Sequence, residues 1–165
     1  MVRRWWKWIL LAAAPMALMC GFDRLQTIDW VGRSDLIVEF FVTSAANGNP
    51  IPNASIEVKS DGGFYHEPNK QEFVLITNSV GVASKECRDC MCIGSRSGLG
   101  ISDTFVVHLP WWRFRVVAKG YAATDWADLD VPQYIRQAMR AAPGRAKLVI
   151  PVSLQAAPGA AAEKP

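Results

Sequence analysis

Three thiols fall within six residues in "CRDCMC", Cys87, Cys90 and Cys92, and only Cys20 stands apart from them. Metal binding and disulfide formation are the two chemistries such spacing supports. A structural zinc takes four ligands, so the three cysteines would need His66 or His108, the only histidines of the chain, to complete the set. A zinc signature with a second, separated ligand pair is missing. A thioredoxin-like reading needs the first cysteine at a helix start inside a βαβ unit, and no such pattern surrounds Cys87. The remaining reading is a staple in an oxidising compartment, Cys87 with Cys90 or with Cys92, leaving one thiol over.

The first twenty residues bear on the compartment. "MVRRWWKW" is a basic, Trp-rich head and "ILLAAAPMALM" an uncharged apolar run of signal-peptide length. A spanning helix wants about 20 apolar residues, so residues 1–20 read as a signal peptide or a membrane anchor. Cys20 is the candidate for lipidation, although Met19 stands where a small residue is usual. The formal +3 charge is matched by Arg3, Arg4 and Lys7 of this leader, so the rest of the chain is neutral. Basicity therefore gives no argument for nucleic acid.

The elements beyond the leader alternate with a period of two. Residues 21–33 read as a linker and residues 34–155 as one domain. Leu36, Val38, Phe40 and Val42 share one face of "LIVEFFVT"; "ASIEVKS", "FVLIT", "VASKE", "TFVVHL", "WRFRVVAK" and "KLVIPVSL" repeat the pattern. Pro151 cannot donate to a ladder, which places the last strand at a sheet edge. "VPQYIRQAMRAAPG" reads as a helix, with Pro132 in the first turn and a stop at Pro143 and Gly144. The expected fold is a seven- or eight-stranded antiparallel β-sandwich with one short helix before the last strand, and 156–165 as a disordered tail.

Three segments in order, "GNPIPNASIEV" (48–58), "TNSVGVAS" (77–84) and "FRVVAKGYAATD" (114–125), together with the final strand "LVIPVSL", resemble the carboxypeptidase regulatory-like domains, of transthyretin-like (prealbumin-like) sandwich fold. Asn78 stands where that family usually has Asp, and the stretches 60–72 and 87–103 read as loops longer than its own. The resemblance implies an extracytoplasmic, non-catalytic structural or interaction module at the cell envelope, membrane-anchored or secreted. Its partners would be the membrane, through the N-terminal segment, and an envelope protein or glycan. It carries over no catalytic residue, cofactor or metal.

Two alternatives stand beside it. Trp111, Trp112 and Arg113 of "HLPWWRFR" could form a carbohydrate-binding surface, if the indoles are exposed and coplanar, or Trp112 could fill the core while Trp111 covers the sheet end. An enzyme of related sandwich fold is the other. Hydroxyisourate hydrolases end in Tyr-Arg-Gly-Ser, absent here; intradiol dioxygenases bind iron through two tyrosines and two histidines, including a His-x-His pair, also absent. Arg136 and Arg140, one turn apart, read with Asp125, Asp128 and Asp130 as a solvated, charge-balanced face.

Overall fold

The protein is described by a computed structural model covering residues 27–60, 72–98, 101–142 and 144–158. The strands are β1 (Thr27–Ser44), β2 (Ser55–Ser60), β3 (Phe73–Ile76), β4 (Val82–Gly98), β5 (Ile101–His108), β6 (Trp112–Val117), β7 (Ala127–Asp128) and β8 (Ala146–Leu154), with one helix among the described residues, α1 (Pro132–Ala141). They form two four-stranded sheets, ordered β5-β4-β1-β8 and β3-β2-β6-β7.

Alternation explains the core between the sheets, since every second side chain of a strand faces the same way. Leu36, Val38, Phe40 and Val42 of β1 and Ala146, Leu148, Ile150, Val152 and Leu154 of β8 are buried from one side. Ile56 and Val58 of β2 and Trp112, Phe114 and Val116 of β6 meet them from the other. Phe40 and Phe114 interlock edge to face across the layers, ring centres 5.1 Å apart.

The expectation of a purely antiparallel, transthyretin-like or Ig-like sandwich is corrected at the ends of the chain. β1 and β8 pair in parallel from Leu36 opposite Ala146 to Ser44 opposite Leu154, so their sheet is mixed. Side-chain alternation marks a strand and its buried face but is the same for either direction of pairing, which is why the sequence left this hidden. β8 does lie at a sheet edge. Helix α1 shields that edge: Gln137 Oε1 accepts a hydrogen bond from Val149 N at 3.1 Å. Pro151, two residues on and so facing the same side, has no amide to offer.

The segment read as a loop over 87–103 is also different. Residues 87–98 continue β4, and the irregularity is a bulge inside the strand. Leu36 pairs with Cys87 and Ser34 with Met91, so Arg88, Asp89 and Cys90 stand opposite Asp35 alone. The bulge interrupts the alternation at Arg88, Asp89 and Cys90, although Ala83 and Cys87 before it and Met91 and Ile93 after it keep to one buried face; that interruption disguised the strand. β1 likewise begins at Thr27, inside the residues read as a linker.

Local side-chain chemistry fixes the other end of β4. Asn78 Oδ1 accepts hydrogen bonds from Val80 N and Val82 N, at 3.1 and 3.0 Å. Gly81 has φ +74°, and a Cβ there would lie 2.6 Å from the Val42 carbonyl oxygen. Only glycine combines that conformation with so close an approach.

Candidate functional site

A cleft of about 250 Å³ opens where β6 begins, lined by Trp111, Trp112, Arg113, Asp128 and Asp130. Pairing of β6 with β7 builds it: Arg113 stands opposite Asp128, and the Leu129 amide donates to the Trp112 carbonyl at 2.7 Å. Arg113 Nε meets Asp128 Oδ1 at 3.1 Å, both side chains being well exposed. Asp130 makes no ion pair among the described residues. Trp111 leaves 40% of its surface exposed, against 2% for Trp112.

That difference in burial ends the idea of a two-indole platform. Trp112 belongs to the core, packed edge to face on Phe73, while Trp111 presents its surface beside Arg113. Trp112 nonetheless carries an unmet need, because its buried Nε1 has no hydrogen-bond partner among the described residues. His108 supports Trp111 from behind, ring centres 5.7 Å apart. The sequence singled out Trp111, Trp112 and Arg113 but missed Asp128 and Asp130 as their neighbours, reading both as partners of the helix arginines. Among the described residues Arg136 and Arg140 form no ion pair, and Asp128 serves Arg113 instead. The available signal was the outward position of Arg113 on an alternating strand, which requires a polar neighbour.

The cysteine bulge is a second cluster. Cys87 and Cys90 are joined by a disulfide, their Cα atoms 5.6 Å apart, and Cys92 is free. Asp89, between the bonded cysteines, has φ +54°. Its amide donates to Asp35 Oδ1 at 3.2 Å. Arg145 then bridges Asp35 Oδ2 at 3.3 Å and Glu86 Oε1 at 3.1 Å, tying the bulge to the start of β8. Burial pushes the Cys92 thiol above its ordinary value, and Arg33 opposes this more weakly.

No group of three or more His, Cys, Asp or Glu side chains that could hold a metal ion occurs among the described residues. His66 lies outside them. His108 ends β5, next to the start of β6, whereas Tyr121 follows the far end of β6; the intervening strand is on the order of 17 Å long at about 3.3 Å per residue. Tyr134 is buried against the core from α1, and burial raises its phenol above the ordinary value, which favours the protonated form over a metal-binding phenolate.

No family model matches the chain, and no curated protein is similar to it at a significant level. Solved structures are similar in fold. The wild-type catechol 1,2 dioxygenase of Acinetobacter radioresistens aligns with a TM-score of 0.50 at 15% identity, covering 81% of this chain and 56% of that one. The chlorocatechol 1,2-dioxygenase of Pseudomonas putida aligns at 0.46 and 13% identity, over 74% and 61% of the two chains. An intradiol ring-cleavage dioxygenase from Tetranychus urticae gives 0.45 and 11%, over 77% and 83%. The fold likeness rests on the first of these, of whose length this chain spans little more than half.

The likeness to the Acinetobacter radioresistens structure corrects the resemblance to carboxypeptidase regulatory-like, transthyretin-like domains: the architecture, with its mixed sheet, is that found in an intradiol dioxygenase. With that family fall the expectations built on it, a non-catalytic module at the cell envelope, anchored or secreted, with the membrane and an envelope protein or glycan as partners. The solved structure that carries the fold likeness is an enzyme, a catechol 1,2 dioxygenase. Among the described residues no helix is long and apolar enough to cross a membrane. Residues 1–20, with Cys20, lie outside the described residues.

Proposed function

We propose that this chain is an enzyme domain of intradiol-dioxygenase fold that handles a small hydroxylated aromatic ring in the cleft at the start of β6. The observation that carries this reading is the cleft's composition, an exposed indole beside an arginine and two carboxylates, on a fold shared with a catechol dioxygenase. Its volume of about 250 Å³ lies below the range of about 300–1,000 Å³ that accommodates drug-sized ligands, which suits a single ring.

Each residue has a part in holding such a molecule. The Trp111 ring offers a face for offset or edge-on contact. Ring hydroxyls donate to Asp130 and Asp128, which when ionised are acceptors only, and a hydroxyl oxygen accepts from the guanidinium donors that Arg113 does not give to Asp128. The buried Trp112 N–H lacks an acceptor among the described residues, at a cost of about 1–3 kcal/mol.

The iron of intradiol dioxygenases, held by two tyrosines and two histidines including a His-x-His pair, does not fit these residues. The sequence has no such pair, and among the described residues His108 and Tyr121 lie at opposite ends of β6 while burial raises the Tyr134 phenol above its ordinary value. No step is therefore routed through iron, and the residues named account for substrate binding and orientation.

Titrating catechol into the full chain should give saturable, single-site quenching of tryptophan fluorescence, and Trp111→Ala should weaken it by about tenfold, the loss of one good ring contact. Quenching that never saturates, or is the same in the variant, contradicts the binding site. Consumption of catechol by protein as isolated from cells, followed by chromatography against a protein-free blank, tests the enzyme assignment: consumption lost in Trp111→Ala supports it, and no consumption contradicts it.

A further inference from the structure

The geometry points to the Cys87–Cys90 disulfide as a redox clasp that regulates the Trp111 cleft through β4 and β5. This rests on the cleft being a ligand site. The route is short and continuous: Cys92, two residues beyond the disulfide, stands opposite His108 in the β4–β5 ladder, and the His108 ring packs on Trp111 at 5.7 Å between centres, while Trp111 lines the cleft.

The bulge departs from regular pairing and is held there by identifiable contacts. Three residues of β4 are accommodated opposite Asp35 alone, and Asp89 sits in the left-handed region at φ +54°, a conformation uncommon for a non-glycine residue. The disulfide holds the ends of this excursion together, and Asp35 and Arg145 brace it from β1 and the start of β8. Opening the disulfide leaves the excursion braced by Asp35 and Arg145 alone. β4 is then free to shift toward regular pairing, carrying Cys92 and its neighbour His108.

The reaction is ordinary thiol–disulfide exchange with a dithiol as reductant. A thiolate of the dithiol attacks one cysteine sulfur, the other leaves as a thiolate and takes up a proton, and the second thiol of the reductant resolves the mixed disulfide. The products are two protein thiols and the oxidised, disulfide form of the reductant. Both cysteines are only 4% exposed, whereas Arg88 and Asp89 between them are exposed, so the approach open to a small dithiol is at the bulge tip. Cys92 is not needed as an internal nucleophile.

Hydrogen exchange of the full chain before and after treatment with dithiothreitol, with mass spectrometry of alkylated thiols, tests the clasp without any ligand. Cys87 and Cys90 should resist alkylation before reduction and accept it afterwards, and amides of 101–111 should exchange faster in the reduced protein. Unchanged exchange in 101–111 once both thiols are alkylated overturns the clasp, as does ready alkylation of both before reduction. The double variant Cys87→Ser, Cys90→Ser should reproduce the reduced pattern. Catechol affinity then reads the coupling, expected to fall about fivefold on reduction; equal affinity in both states overturns the regulation. If the oxidised chain binds no catechol, the ligand reading fails, and an unchanged exchange pattern remains the separate sign that the clasp fails.

Discussion

The start and the middle of β4 solve the same problem, an interruption of regular pairing, by different means. At its start the Asn78–Gly81 turn is specified by neighbours in sequence: one amide side chain takes two backbone N–H groups, and one glycine permits both a positive φ and contact with β1. In its middle, the bulge is specified from afar by Asp35, 54 residues earlier than the Asp89 amide it binds, and by Arg145. A turn written locally is stiff and tolerates no substitution at its key position. A bulge held by a disulfide and exposed ion pairs is open to adjustment, which suits it to regulation.

The contrast can be broken most forcefully at Gly81. Gly81→Ala should destabilise the protein by about 3 kcal/mol, because the new Cβ meets the Val42 carbonyl in a left-handed backbone; urea unfolding checks this, and a loss under about 1 kcal/mol would mean that the turn is not rigid. Next comes Thr77, buried before the same turn, whose hydroxyl accepts from Ala54 N at 2.8 Å and donates to Ile51 O at 2.7 Å. Thr77→Val strands both partners and should cost about 2 kcal/mol in the same assay.

The bulge should respond more gently. Asp35→Ala removes the Asp89 cap and one of two carboxylates from an exposed Arg145, so its cost should be about 1 kcal/mol or less. Its larger effect should be on local opening, seen as faster alkylation of reduced Cys87 and Cys90. Smallest is the pH effect of Cys92. Its folded thiol is raised by burial, so the folded state holds the proton more firmly than the unfolded chain. The resulting stabilisation is fully present below the ordinary thiol value and fades as pH rises through the raised one. A slight fall in the urea midpoint over that alkaline window, absent in Cys92→Ala, checks the sign.

The same distinction explains what was legible in the sequence. Strands such as Leu36–Val42 and Ala146–Leu154 declared themselves because a half-buried sheet demands alternation, and the helix did so through Pro132 and its apolar spacing. Pro151 gave away an edge because a missing amide has only one tolerable place. The parallel pairing of β1 with β8 left no trace, since alternation carries no direction. The strand through Cys87–Gly98 was lost because three residues opposite Asp35 interrupt its alternation. For the site, Trp111 and Arg113 stood out by type and spacing, whereas Asp128 and Asp130 reach them only through β6–β7 pairing.

The most direct test is a crystal structure of the full chain soaked with catechol. The ring is predicted to lie against the exposed indole of Trp111, its hydroxyls within hydrogen-bond reach of Asp130 and Arg113. A ring bound elsewhere, or held by a metal ion at His108 with the Trp111 cleft unoccupied, would contradict the account.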